Sequence, residues 1–120
     1  MDKIPNKEIN EHFSTHLFNL LNENKELNGT NKANKLNEAL QIANNIYQSE
    51  PYDKWIQKAF AWVLIDLCKY YIPVNNLNQA LIHFNQLNAI QFDYPDDIIE
   101  NQKTYLKPRI DTNYQEINNV

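Results

Sequence analysis

The residues best equipped for chemistry in this chain are three histidines, one cysteine and a few clustered carboxylates. Glu8, His12 and His16 follow one another at intervals of four, with Glu11 alongside, so on a helix they share one face. Histidines at i and i+4 can hold one metal ion, which makes this trio the metal candidate of the sequence. The zinc-protease pattern, however, is His-Glu-x-x-His, and the chain reads His12-Phe13-Ser14-Thr15-His16. No cysteine or further histidine stands nearby, and His83 belongs to another segment. The expected reading is a solvated helix face with no metal and no cofactor. Ser14 and Thr15 adjoin His16, but neighbouring helical positions point apart and make no nucleophile–base pair. Asp96, Asp97 and Glu100 cluster where a helix is expected to start, and negative charge there complements the helix dipole. They read as surface charges rather than as an acid/base set. Cys68 has no second cysteine to join, and with Leu67 and Tyr70 beside it reads as a small core hydrophobe. Nucleophile-elbow, phosphate-loop and dinucleotide patterns are all missing. The chain is therefore expected not to be an enzyme.

The remaining constellation suits recognition. Trp55, Lys58, Trp62, Asp66 and Lys69 fall at i, i+3, i+7, i+11 and i+14, one continuous helical stripe. Ile56, Phe60, Val63, Leu64 and Leu67 occupy the other side. Aromatic rings flanked by charge bury much area at small entropic cost, which suits an interface. The competing reading makes both tryptophans core, Trp62 more readily than Trp55.

Composition narrows the partner. The formal net charge is −4, and Arg109 is the one arginine. Nucleic-acid binders carry a basic patch with arginines for phosphates and guanine edges, so direct nucleic-acid binding is not expected. A mildly acidic surface suits a basic protein partner. The longest apolar run, residues 59–68, is interrupted by Asp66 and is about half the length of a membrane span. Residues 1–6 show no apolar leader. With a single cysteine, these features lead to an expectation of a cytoplasmic protein that does not engage membranes. Abundant asparagine, with one glycine and one arginine, reads as the mark of an A+T-rich genome, as in bacteria and phages.

At 120 residues, 42% of them apolar, the chain fits one domain with a real core. A single glycine argues against tight hairpins, and apolar residues recur at intervals of three and four, predicting an all-α fold. Helices are expected over about 6–24, 32–48, 52–72, 77–89 and 95–107. Pro5 stands near the first start, and Thr30 or Asn31 would cap the second. The inward stripes are Ile9, Phe13, Leu17, Leu20 and Leu21; then Leu36, Ala39, Leu40, Ala43, Ile46 and Tyr47; then Leu77, Ala80, Leu81, Phe84 and Leu87. The third helix is apolar around most of its circumference, which predicts a central position. Gly29 marks the first turn, and Pro108 is expected to end or kink the fifth helix. Residues 109–120 read as a polar tail that frays, with Tyr114 and Ile117 available to dock.

Two of these helices repeat a pattern: Ala39, Ala43, Ile46 before Pro51, and Ala80, Phe84, Leu87 before Pro95. A small residue lets a neighbouring helix approach closely, while larger ones fill the groove beside it. Ala39-Ala43-Ile46-Pro51 resembles the second helix of the tetratricopeptide repeat, and Phe60, Ala61 and Leu64 match positions of the next first helix. The resemblance covers about residues 32–95. Ala61 stands where the family carries glycine. The offset from Ala39 to Ala80 is 80 − 39 = 41 residues, against a family period of about 34. This makes the third helix about two turns longer than the family's. The resemblance implies about five antiparallel helices stacked as tetratricopeptide-like hairpins; an irregular helical bundle is the alternative. It also implies that Trp55, Lys58, Trp62 and Asp66 line a concave groove holding a peptide.

The expected function is that of a non-catalytic adaptor binding a protein or peptide through a groove centred on the third helix. The alternative is a small acidic inhibitor or immunity-type protein that blocks a larger enzyme. A metal-dependent enzyme using Glu8, His12 and His16 is the third reading. Terminal helices with open apolar faces also make a homo-oligomer an expectation.

Overall fold

In the computed structural model the described residues are 7–92, 94 and 96–118, with side chains described for 11–92, 94 and 96–111. Expectations resting on Pro5, Pro95 and the side chains of Glu8, Ile9, Tyr114 and Ile117 lie outside them. Five helices follow in order: α1 Lys7–Asn24, α2 Gly29–Ser49, α3 Lys54–Tyr71, α4 Leu77–Ala89 and α5 Asp97–Asn118. Among the described residues there is no strand. The fold is all-α, as the three-and-four spacing predicts.

The helix ends have identifiable causes. Asp53 caps α3, its carboxylate accepting from the Ile56 N–H at 2.9 Å. Asn75 adopts a left-handed conformation after α3 (φ 64°), and the Asn76 N–H reaches back to the Tyr71 carbonyl at 3.0 Å. This closes the helix in the way a glycine usually does. Asn76 in turn accepts from the Gln79 N–H to start α4. Gly29 also has a positive φ, 57°. It is a turn residue, as expected, but α2 begins there rather than at residue 32. Thr30 and Asn31 are therefore inside the helix, and Asn28 is the capping position, without a side-chain bond.

Packing centres on α3. It contacts each of the other four helices, while α1 also packs on α2 and α4 on α5; α2 and α4 do not meet. Ten of its residues are buried, including Ile56, Phe60, Val63, Leu64 and Leu67. Its neighbours supply Leu17 and Leu21 from α1, Leu36, Ala39 and Ala43 from α2, and Leu77, Ala80, Phe84 and Leu87 from α4, all buried. The small residues mark close approach: the Cys68 thiol lies 3.4 Å from the Ala80 carbonyl, which accepts from it. Phe13 departs from its expected inward position and stands 36% exposed, while Ser14 is buried and donates to the Glu11 carbonyl.

The fifth helix corrects two expectations. It neither ends at Pro108 nor gives way to a tail at 109, but runs to Asn118. A proline inside a helix removes one backbone hydrogen bond and crowds the preceding turn, at a cost of about 3 kcal/mol. Ile99, Leu106 and Ile110 are all fully buried, so the apolar stripe crosses the proline and holds both sides against the core. Each such burial is worth roughly 1.5–3 kcal/mol.

Candidate binding trough

The stripe on α3 divides in two. Trp62, Asp66 and Lys69 border hollows that share Lys69 as a lining residue; Trp55 and Lys58 border none of these three. The first hollow, about 300 Å³, lies between α1 and α3 and is lined by Phe18, Leu21, Asn22, Lys25, Trp62, Asp66 and Lys69. The second, about 240 Å³, shares Leu21, Lys25, Asp66 and Lys69 and reaches Asn24, Lys32, Leu36 and Tyr70. The third, about 410 Å³, lies on the α5 side, between Lys69, Ile72, Pro73, Tyr105, Leu106 and Arg109. Lys69 borders all three. The result is a trough along α3, with α1 on one flank and α5 on the other.

The geometry follows from helix-by-helix packing. Trp62 is half-buried: it packs on the core, yet its ring also lines the first hollow. The ring is thus packed on the core on one side and open to the hollow on the other. Tyr70 sits at the inner end, its hydroxyl donating to the Gly29 carbonyl at 3.2 Å and pinning the α1–α2 turn to α3. Across the trough, Tyr105 is 48% exposed. The Arg109 guanidinium stacks on its ring at 3.6 Å and donates to its carbonyl at 2.6 Å. The Lys69 ammonium lies 5.9 Å from the same ring. Such contacts fix the cations in place while leaving their charge unneutralised.

The electrostatics are the reverse of the whole-chain balance. Lys25, Lys32, Lys69 and Arg109 line the hollows against a single carboxylate, Asp66. Burial pushes the Asp66 carboxyl above its ordinary value, and the charges of Lys69, Lys25 and Lys32 only partly offset this. None of those lysines lies within 4 Å of it, so among the described residues Asp66 has no direct ion-pair partner. Asn24, only 1% exposed, borders the second hollow, and both amide atoms lack a hydrogen-bond partner among the described residues.

Trp55 and Lys58 form a separate cluster beside the α4–α5 connection. Trp55 is 41% exposed, with the Lys54 and Lys58 ammonium groups 5.2 and 5.5 Å from its ring. Lys58 is committed to Asp96 at 3.2 Å. Asp96 also caps α5, accepting from the Ile98 and Ile99 N–H groups. Burial raises the Asp96 carboxyl, but these bonds and Lys58 outweigh it and hold the group below its ordinary value. Asp97 and Glu100 sit in the first turn of α5, where the dipole favours them.

His12 and His16 are exposed on α1, and among the described residues no three metal-capable side chains converge. His83, by contrast, is buried, stacks on Tyr71 and lies 3.1 Å through Nδ1 from Gln86 Oε1, with Nε2 unpartnered. Burial pushes its imidazole below the usual range, against the opposing Gln86 contact. The Cys68 thiol is buried and pushed up to about 12 by desolvation, which leaves it protonated and unreactive.

Sequence reasoning missed Lys25, Lys32, Tyr105 and Arg109. Lys25 lies in the α1–α2 turn, Lys32 on α2, and Tyr105 and Arg109 on α5, and nothing local in the sequence brings them to the α3 stripe. The signal available was the singularity of Arg109. Among the described residues no helix is long and apolar enough to cross a membrane. Compared with protein-family models, with curated proteins and with solved structures, the chain has no match in any of the three.

Proposed function

We propose that the protein is a non-catalytic interaction module that holds a protein segment in the trough along α3. The observation that carries this reading is the meeting of three hollows at Lys69, framed by α1 and α5 and floored by Trp62 and Asp66. Half-buried aromatic rings beside desolvated charge are the surfaces on which binding energy concentrates. A tetratricopeptide-like arrangement is part of the proposal. Its support is the residue pattern Ala39-Ala43-Ile46-Pro51, the row α1–α3–α5, and the lack of contact between α2 and α4. A buried, reduced Cys68 is compatible with a cytoplasmic setting.

The reading centres the site on Trp62, Asp66 and Lys69, with Trp55 and Lys58 at its margin. A photo-crosslinking residue placed at Asn22, on the trough, or at Asn85, exposed on α4, tests it in the native cell. The expected outcome is a discrete crosslinked partner from position 22 and none from position 85. Crosslinking to the same partner from position 85 alone would remove the trough from the account.

A further inference from the structure

The described cations fall into two groups. Lys35, Lys58, Lys103 and Lys107 are ion-paired, with Glu38, Asp96, Glu100 and Asp111 respectively. Lys25, Lys32, Lys54, Lys69 and Arg109 have no described carboxylate within 4 Å, and all but Lys54 line the trough. Among the described residues, a chain of net charge −4 thus gathers four cations without an ion pair around one half-buried carboxylate.

We propose that the occupant of the trough is an acidic, extended segment of a protein partner, its carboxylates meeting Lys25, Lys32, Lys69 and Arg109. This rests on the trough being a binding site at all. The distribution of the cations over three hollows that share Lys69 calls for several negative charges along one chain, rather than for one anion. The walls are apolar and aromatic between the cations: Phe18, Leu21, Trp62 and Leu106. A segment mixing carboxylates with an apolar side chain fits both. Asp66 and Asn24 favour a polypeptide over a nucleic acid. Set between the cations, the Asp66 carboxylate accepts hydrogen bonds from peptide N–H groups, donors that a phosphodiester backbone lacks. The Asn24 amide, with its donor and acceptor both unused, complements one peptide unit, which carries one of each.

The probe is a fluorescent peptide, acetylated and amidated, of sequence Glu-Glu-Leu-Glu-Glu-Phe-Glu, titrated against the full chain at low and at physiological salt. Binding that weakens with salt is expected. The Lys69→Glu, Arg109→Glu variant is expected to lose at least tenfold in affinity. The Lys35→Glu, Lys107→Glu variant changes net charge equally at paired lysines outside the trough, and is expected to stay within twofold of wild type. Asn24→Leu gives an independent reading: it should melt no lower than wild type yet bind the peptide more weakly. The proposal is overturned if the peptide does not bind, or if both double variants weaken it equally. Tighter binding of a single-stranded oligonucleotide of equal charge overturns it as well. Failure of the peptide with a surviving crosslink from position 22 would leave the trough standing and remove only its acidic occupant.

Discussion

Asp66 sits where a stability-minded sequence would place an apolar or amide residue. Its carboxyl is raised above the ordinary value by desolvation, so the folded protein holds the proton more readily than the unfolded chain. The sign follows directly: stability falls as pH rises from the ordinary carboxylate range through the folded value. Asp66→Asn should therefore raise the melting temperature by a few degrees at pH 7, with the gain shrinking as the pH approaches 3.8. A variant that melts below wild type at neutral pH would show that the three surrounding lysines outweigh burial. His83 works in the opposite sense. Its imidazole is depressed by burial, so the unfolded chain binds the proton first on acidification. Stability is complete above the ordinary value of 6.5 and declines as pH falls below it. His83→Phe preserves the ring against Tyr71 and should flatten the pH dependence of melting between about 7.5 and 5.5. An unchanged slope would mean that another group governs the acid limb.

At the level of elements, one buried amide ties two connections together. Gln57 is buried on α3 and donates to the Pro51 carbonyl at 2.8 Å and the Gln91 carbonyl at 3.3 Å. It thus joins the α2–α3 turn to the α4–α5 connection. Gln57→Leu keeps the volume but leaves these carbonyls without their donor, at a cost of about 1–3 kcal/mol read from chemical denaturation. A loss below about 0.5 kcal/mol would mean that water replaces the amide. Helix spacing made most of this architecture legible beforehand: α4 falls on residues 77–89 as the apolar period predicts, and the encircling hydrophobicity of α3 identified the central helix. Pro108 misled because its local penalty is visible in sequence, whereas the burial of Ile110 beyond it is a tertiary gain. Gly29 was legible as a turn, but the start of α2 was not, since no side chain caps it. The candidate site was half legible. Periodicity placed Trp62, Asp66 and Lys69 on one face, but continued the stripe to Lys58, which Asp96 claims from a distant loop. Period cannot register a partner thirty-eight positions away (96 − 58).

For the whole molecule, the contact pattern decides how it unfolds. A solenoid of independent repeats breaks up end by end, because each unit touches only its neighbours. Here α3 lies against all four other helices, and α2 and α4 contact each other only through it. Removing either end therefore strips a face of the same central helix. α5 covers it with Ile99, Leu106 and Ile110, and α1 with Leu17 and Leu21. Such a hub favours all-or-none behaviour over separate melting of two hairpins. Native-state hydrogen exchange should accordingly find the slowest amides in α3 between Ala59 and Cys68, exchanging only through global unfolding. The amides of α1 and α4 should share one denaturant slope with them under conditions that suppress end fraying. If α1 and α2 instead open together while α4 and α5 keep their protection, each hairpin is a unit of its own. The trough would then open along α3, between a stable half and a labile one, and its affinity would track the stability of α1.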